Sequence, residues 1–467
     1  MDRIDLLGSG FLYLETRETP MHVAGLNLLE YPERVNQRKF MEQVAESYES
    51  ETGLRKPFGH RVTHGALGRF GPLYWERDDD IDLDYHVRHS ALPKPGRYRE
   101  LFDLVGRLHS TLLDRSRPLW EVQLIEGLRN RQFAVYTKVH HATIDGVAGV
   151  RLTESSCSPD PKAELELSPF SVEAHEQFKE RRGHGRNNEL EPTEFELRTI
   201  ADFFKAQVDT SAHVLSTIKS YAATWLGMGA GLAVPWRHVP HTMVNTQVSS
   251  ARRFVAQSWS IERVRAVSKA ANVTINDVVL AMCSGALRRY LEEQGELPEH
   301  SLRALVPVSV REKNDYDSPL AISYIVADLG TRHDDPADRL DAIVESTRAG
   351  KSMLSELSAR EAGLYATLIQ TPLFIASLMG VADWFPPVST VISNVPGPRE
   401  KLYWNGAPLL GTYPVSAVFH GFALNITFVS YNGNLDFGII ACRRSVPRVQ
   451  RLIDYLEQSL AGLEETV

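Results

Sequence analysis

The chain has few cysteines and no excess of basic residues, and both features limit what it can be. Its three cysteines are scattered over 467 residues and form no CxxC pair. This spacing argues against a disulfide framework or a cysteine-ligated zinc site and is typical of a protein in the reducing cytosol. The formal net charge is -8, so no basic field would attract nucleic acid.

Long apolar segments are also missing. No uninterrupted segment reaches the roughly 18–20 apolar residues that a membrane-spanning helix needs. The N-terminal sequence MDRIDLLGSGFLYLE contains acidic residues and is not expected to be a signal peptide. Two segments come close, since residues 221–236 carry no charge and residues 368–385 carry only Asp383. Each is predicted to be a buried helix or an apolar surface that contacts lipid or lines the path of a lipid substrate.

Several common catalytic signatures are absent as well. The sequence contains neither the GxSxG motif of a serine nucleophile nor the GxGxxG motif of a dinucleotide site. RAGKS at 348–352 resembles the end of a P-loop, but Glu345 occupies the position of the first glycine. The chain therefore shows no activated serine, no nucleotide cradle and no dinucleotide fingerprint.

A polar, charged segment separates two parts of similar pattern. Residues 155–195 are poor in large apolar side chains and are predicted to form a partly disordered surface linker. Residues 1–154 and 196–467 both combine the period-two pattern of strands with helical spacing. We therefore predict two α/β domains, one on each side of the linker.

In the C-terminal part, one helix and one hairpin have clear sequence signals. Residues 273–295 have amphipathic helical spacing, with Thr274 as the N-cap, Asp277 in the first turn and Gly295 at the end. The sequence YNGN at 431–434 joins two strand patterns and predicts a tight β-hairpin.

The most informative motif is HHATIDG at 140–146, which follows the strand pattern FAVYTKV. Because adjacent residues of a strand point to opposite faces, we expect His140 and His141 to differ, one facing the core and the other a cleft. A neutral imidazole suits general base catalysis when a partner such as a carbonyl holds its second nitrogen in one tautomer. Asp145 could orient the loop through hydrogen bonds or an ion pair, and Gly146 allows a tight turn.

Two other interpretations of this motif remain open on the residues alone. A histidine on an apolar strand is often a structural core residue. A metal site is the second alternative, although the spacing differs from HExxH and neighbouring histidines on a strand diverge. Because no nucleophile accompanies the base, the pattern favours direct transfer, in which histidine removes a proton from an acceptor hydroxyl that attacks an activated acyl group.

HHxxxDG resembles the signature of the CoA-dependent acyltransferase superfamily, and five further motifs narrow the resemblance. Together the six motifs are similar to the bacterial wax ester synthase/diacylglycerol acyltransferase family, in order and over nearly the whole chain. The other five are FLYLETRETPMHVAGL (11–26), RPLWEVQLIEGL (117–128), TINDVVLA (274–281), VPVSVR (306–311) and SNVPGP (393–398). The resemblance implies two similar α/β domains with an active-site tunnel between them.

The same resemblance implies a reaction and a set of roles. The donor would be acyl-CoA, a co-substrate used without a further cofactor or metal, and the acceptor a long-chain alcohol or diacylglycerol, with no covalent acyl-enzyme. His141 would be the general base, His140 its structural partner and Asp145 a residue that holds the loop. Asn276 of the ND pair would either face His141 as a polar group or cap its own helix.

Two residues are predicted to line the substrate tunnel. Trp120, in the PLW motif, would line it or serve as a packing anchor. Gly380 lies among small residues of the apolar segment 368–385, where bulkier side chains are expected to shift the preferred chain length. We expect a cytoplasmic protein, peripheral to the inner membrane or to lipid inclusions.

Two other functions stay open. One is a condensation-type acyltransferase that uses a carrier-protein thioester, and the other is a non-catalytic protein that binds lipid droplets. The intact HHATIDG sequence argues against the second, since such a protein would be expected to lose a histidine or the aspartate.

Overall fold

The computed structural model describes residues 2–49, 53–65, 68, 71–182, 233–309, 322–355, 376 and 382–466. Its helices are α1 (Leu6–Leu14), α2 (Gln37–Tyr48), α3 (Leu83–His86), α4 (Tyr98–Leu108), α5 (Gly146–Ser155), α6 (Val172–Arg182), α7 (Ile261–Ala270), α8 (Ile275–Gln294), α9 (Pro336–Ser355) and α10 (Arg451–Thr466). Its strands are β1 (Asp2–Arg3), β2 (His22–Glu30), β3 (His60–His64), β4 (Leu73–Arg77), β5 (Val87–Ala91), β6 (Trp120–Glu126), β7 (Gln132–His140), β8 (Arg252–Ser260), β9 (Arg303–Ser309), β10 (Ile322–Asp328), β11 (Thr390–Val395), β12 (Tyr403–Trp404), β13 (Ala407–Val415), β14 (Leu424–Tyr431) and β15 (Asn434–Cys442).

These strands form two six-stranded sheets and one small three-stranded sheet. The N-terminal sheet has the order β12-β13-β2-β7-β6-β5, and the C-terminal sheet has the order β10-β9-β11-β14-β15-β8. Most neighbours are antiparallel, but β5 runs parallel to β6, and β11 runs parallel to both β9 and β14. Helices lie against both large sheets, which is the mixed α/β architecture predicted from the sequence.

One segment of the C-terminal part crosses into the N-terminal sheet. Strand β13 pairs with β2, placing Thr412 opposite Asn27 and Pro414 opposite Gly25. The prediction that residues 196–467 form a separate domain did not include this exchange, because a strand pattern in the sequence does not show which sheet the strand joins. The two halves are therefore joined by backbone hydrogen bonds as well as by side-chain packing.

Most of the segment that the sequence predicts as a linker, residues 155–182, lies within the described structure. Residues 155–182 pack on the N-terminal half: Phe170 is buried, its carbonyl accepts the amide of Arg55 at 2.8 Å, and Ser158 bridges to Tyr403. The segment is polar because its serines bond locally, for example the Ser171 hydroxyl with the amide of Ala174 at 3.1 Å. Residues 183–195 lie outside the described part of the chain.

The predicted helix and hairpin of the C-terminal half are both confirmed. The Thr274 hydroxyl accepts the Asp277 amide at 3.2 Å, the Asp277 carboxylate accepts the Thr274 amide at 3.1 Å, and Gly295 closes α8 with φ of 70°. Asn432 and Gly433 have φ of 43° and 79° between β14 and β15, as a type I′ hairpin turn requires.

A shared core connects the two halves. Leu26 and Tyr136 of the N-terminal sheet pack in one buried cluster with Phe254 and Ile440 of the C-terminal sheet. No single described helix has both the length and the apolar composition to cross a membrane. Of the two apolar segments noted in the sequence, residues 221–232 and most of 368–381 fall outside the described residues.

Candidate active site

The two histidines of HHATIDG point to opposite faces of the N-terminal sheet. Along β7 and the residue that follows it, Thr137, Val139 and His141 line a cavity between the two halves, whereas Lys138 and His140 are buried on the other face. The predicted division between a core histidine and a cleft histidine is confirmed, and its cause is the two-residue period of the strand.

His141 is held in one orientation by three contacts. Its amide donates to the Met21 carbonyl at 2.9 Å, and its Nδ1 lies 3.1 Å from the Ile144 carbonyl. Because a carbonyl only accepts, Nδ1 carries the proton and Nε2 is unprotonated. Phe11 stacks on the imidazole with a centroid distance of 4.5 Å and an interplanar angle of 4°.

The surroundings of His141 favour its neutral form. Burial lowers the pKa of His141 below its ordinary value, while the Ile144 carbonyl and the negative charge of Asp145 act against that effect without cancelling it. A neutral imidazole with an unprotonated Nε2 on a cavity wall is able to act as a general base at neutral pH.

Asp145 begins helix α5 and also lies on the cavity lining. Its Oδ1 accepts the amide of Ala148 at 2.8 Å, which is the geometry of an N-cap. Gly146 follows, where a Cβ would lie 3.1 Å from Val395 of β11. The Asp-Gly pair therefore turns the chain sharply after the histidines and lets the C-terminal sheet approach closely.

His140 belongs to a buried polar network that sequence inspection did not predict. Its Nδ1 accepts the Ala142 amide at 3.0 Å, so the proton is on Nε2, which lies 3.5 Å from Glu15 Oε1. The carboxylate of Glu15 also accepts the Met21 amide at 3.0 Å and pairs with Arg115 at 3.0 Å. Burial raises the pKa of Glu15, but His140, the Met21 amide and Arg115 together hold it below its ordinary value.

This network supports the backbone of His141 from the other face of the sheet. Glu15 bonds the amide of Met21, and the carbonyl of Met21 accepts the amide of His141. Glu15 lies in the segment FLYLETRETPMHVAGL, but a single glutamate on a helix end carries no signal of its own. Only the fold brings it next to His140.

The cavity has a volume of about 250 Å³ and lies between the two large sheets. Most of its lining residues are apolar, as expected for a site that takes an alkyl chain. Polar side chains on the wall formed by β11 and β14 are Ser393, Asn425 and Thr427. Thr427 Oγ1 donates to Asn425 Oδ1 at 2.8 Å, which leaves the amide nitrogen of Asn425 as a donor.

Two predicted site residues, Asn276 and Trp120, lie outside the lining of this cavity. Asn276 lies in the first turn of α8, outside the cavity lining, whereas Asn425 provides an amide on the C-terminal wall. Trp120 is buried in the N-terminal core, where its Nε1 donates to the Phe58 carbonyl at 2.8 Å. Gly380 lies outside the described residues.

Trp120 is thus a packing anchor and not a lining residue. Its ring lies 4.3 Å from that of His86 and 4.2 Å from that of Phe170. The sequence suggested both a lining role and a packing role. The indole N–H is already paired inside the core, and this favours the packing role.

Family models match most of the chain. The wax ester synthase/diacylglycerol acyltransferase catalytic domain matches residues 4–279, and the C-terminal domain of the same family matches residues 321–464. A putative diacylglycerol O-acyltransferase of Mycobacterium tuberculosis is 43% identical over the whole of both chains. The O-acyltransferase WSD of Acinetobacter baylyi is 39% identical over 98% of this chain and 96% of its own length.

Solved structures agree with these matches. The wax ester synthase/diacylglycerol acyltransferase of Marinobacter aquaeolei VT8 has a TM-score of 0.77 and 38% identity, covering 100% of this chain and 99% of the other. The starter condensation domain of rhizomide synthetase, solved in complex with C8-CoA, has a TM-score of 0.57 at 13% identity, covering 99% and 94% of the two chains, and therefore shares the fold. The chain belongs to the wax ester synthase/diacylglycerol acyltransferase family.

Proposed function

We propose that the protein transfers a long-chain acyl group from acyl-CoA to the hydroxyl of a fatty alcohol or of diacylglycerol, with His141 as the general base. The observation that carries this proposal is the geometry of His141. Nδ1 is committed to the Ile144 carbonyl, and the ring lines a mostly apolar cavity in which no described residue bonds its other nitrogen. Family membership supports the choice of substrates.

The chemistry follows from that geometry. Nε2 of His141 removes the proton of the acceptor hydroxyl as the oxygen attacks the thioester carbonyl. The resulting imidazolium is stabilised by the Ile144 carbonyl and the nearby charge of Asp145. When the tetrahedral intermediate collapses, the same imidazolium returns the proton to the departing thiolate, so the base is regenerated and no net proton is taken up.

Direct transfer suits the described site better than a covalent acyl-enzyme. Cys157, Cys283 and Cys442 are all buried and none lines the described cavity. Within the described residues, His141 has no hydroxyl partner that it could activate as a nucleophile. The acceptor hydroxyl is therefore the nucleophile.

The oxyanion of the intermediate needs fixed hydrogen-bond donors. We assign this role to the amide side chain of Asn425, which lies on the wall opposite the N-terminal sheet with Thr427 bonded to its oxygen. Loss of a single such donor typically slows turnover by about 100- to 1,000-fold. Asn276, whose place is at the start of α8, would act only through that helix.

The test is thiol release from palmitoyl-CoA, with and without hexadecanol, by the wild type and by His141→Ala. We expect alcohol-dependent release that falls by roughly 100- to 10,000-fold in the variant. His140→Asn is the matched comparison, because it alters a histidine on the opposite face. Release that does not need alcohol would indicate a thioesterase, and no release at all would indicate a carrier-protein donor or a non-catalytic lipid-binding protein.

We further propose that the enzyme works at a lipid surface, through an exposed aromatic pair close to the cavity. Trp384 and Phe385 are 67% and 71% exposed. They follow Ala382, whose carbonyl packs against Gly421, next to the cavity-lining residue Phe422. Tryptophan and phenylalanine side chains partition favourably into the interface of a bilayer, so this position would bring the cavity to its lipid substrates.

Co-sedimentation with phosphatidylcholine vesicles or with triacylglycerol droplets tests the surface. The double variant Trp384→Ser/Phe385→Ser should bind several-fold less, while its rate on short, water-soluble alcohols stays at the wild-type value. Unchanged binding by the variant would contradict the assignment of this surface.

A further inference from the structure

The N-terminal wall of the cavity is built from rows of side chains that can be followed away from His141. Residues directly opposite one another in antiparallel strands project from the same face. Met21 and His141 form the first row, joined by a hydrogen bond of 2.9 Å between the His141 amide and the Met21 carbonyl. Val23 and Val139 are paired in the second row, and all four residues line the cavity.

The third row contains an open position. Gly25 of β2 lies opposite Thr137 of β7 and Pro414 of β13, and all three line the cavity. A Cβ built on Gly25 would meet no atom within 4 Å. Gly25 is not among the glycines with positive φ, so the backbone does not require glycine here, and what glycine provides is space.

Along these strands, the cavity lining ends soon after this row. Asn27 and Thr412, opposite each other in the fourth row, still line it, and Asn27 Nδ2 donates to Thr153 Oγ1 at 3.2 Å. In the fifth row, Leu29 pairs with Phe133, and both are buried in the solid N-terminal core. At about 3.4 Å per residue, the Gly25 row is roughly 14 Å from His141 and the Asn27 row roughly 20 Å.

We infer that this arm of the cavity holds the alkyl chain of one of the two substrates, and that Gly25 determines how long a chain can reach past its row. The inference rests on the proposed acyl transfer. Between Thr137 and Pro414, the missing side chain leaves the width that a methylene chain needs. Beyond it, the polar row of Asn27 and Thr412 disfavours a longer apolar chain, which would cover polar groups without pairing them.

The experiment measures kcat/KM for wild type, Gly25→Ala and Gly25→Val with two series of substrates. The first series varies the donor between octanoyl-CoA and palmitoyl-CoA with one alcohol, and the second varies the alcohol between octanol and hexadecanol with one donor. Gly25→Val should lower the ratio of long-chain to short-chain kcat/KM by about tenfold or more, and Gly25→Ala by less, since forcing a side chain into occupied space costs more as it grows.

The series that shifts identifies the occupant of the arm, which is the acyl chain if the donor profile changes and the alcohol chain if the acceptor profile changes. Gly53→Val is the control, because a Cβ on Gly53 also meets nothing within 4 Å but Gly53 does not line the cavity. An unchanged profile in Gly25→Val, or an equal loss on all chain lengths, would overturn the inference. If the wild type transfers no acyl group, the proposed function fails instead.

Discussion

Asp436 should make the stability of the protein depend on pH in a way that one substitution removes. This aspartate is completely buried on β15, where the C-terminal sheet meets the crossing strand β13. Its carboxylate accepts the Ser258 hydroxyl at 2.6 Å and the Thr412 amide at 2.8 Å. Burial raises the pKa of Asp436 to about 6, although both hydrogen bonds act to lower it.

The sign and size of the effect follow from linkage. The pKa rises from 3.8 to about 6 on folding, so the native state binds more protons than the unfolded state between these values. The contribution of Asp436 to the free energy of unfolding therefore falls as pH rises through this window. The full loss, reached above pH 6, is about 3 kcal/mol.

Equilibrium urea unfolding of wild type and Asp436→Asn, at several pH values across this window, measures the effect. Between the lower and upper ends, the free energy of unfolding of the variant should decrease by about 3 kcal/mol less than that of the wild type. Taking the difference cancels the other titrating groups. Asp341→Asn, at an exposed position on α9, is the control and should follow the wild type. If the free energies of unfolding of Asp436→Asn and of the wild type change by the same amount across this pH window, the reasoning is refuted.

Three further predictions concern the site and its support. Because the pKa of His141 is lowered, the acidic limb of the kcat/KM profile should lie below the ordinary histidine value of about 6.5, and a limb above it would contradict His141 as base. Phe11→Leu should lower kcat by about two- to tenfold and leave KM unchanged, since ring stacking contributes roughly 0.5–1.5 kcal/mol. Steady-state kinetics measure both constants, and an unaltered kcat would contradict a role of this contact in the reaction. Trp120→Phe should lower the free energy of unfolding by about 1–3 kcal/mol, because the Phe58 carbonyl loses its buried donor, and should leave the chain-length profile as in the wild type.

Much of the local structure could be predicted because it depends on neighbours in the sequence. The capping box of Thr274 and Asp277 and the Asn-Gly turn are satisfied by residues only a few positions away. The opposite environments of His140 and His141 follow from strand geometry alone. These features are decided before any long-range contact forms.

What sequence inspection missed involves partners that are distant along the chain. Glu15 reaches His140 across 125 residues only because α1 packs beside the end of β7. The amide side chain on the C-terminal wall comes from Asn425 of β14, whereas Asn276, in a conspicuous motif, lies outside the lining of this cavity. A motif marks a conspicuous local pattern, but the composition of a cavity wall depends on how two sheets face each other.

By itself, the sequence determined the chemistry available to the protein: a histidine pair on a strand, an aspartate that caps the next helix, and no nucleophile or nucleotide cradle. The tertiary structure decided which groups share a site. Strand β13 leaves its own half to pair with β2, and this exchange places Pro414 beside Gly25 and completes the cavity wall. The physical reason is that sheet pairing is made by backbone groups common to every residue, so the partner of a strand is selected by packing across the whole molecule.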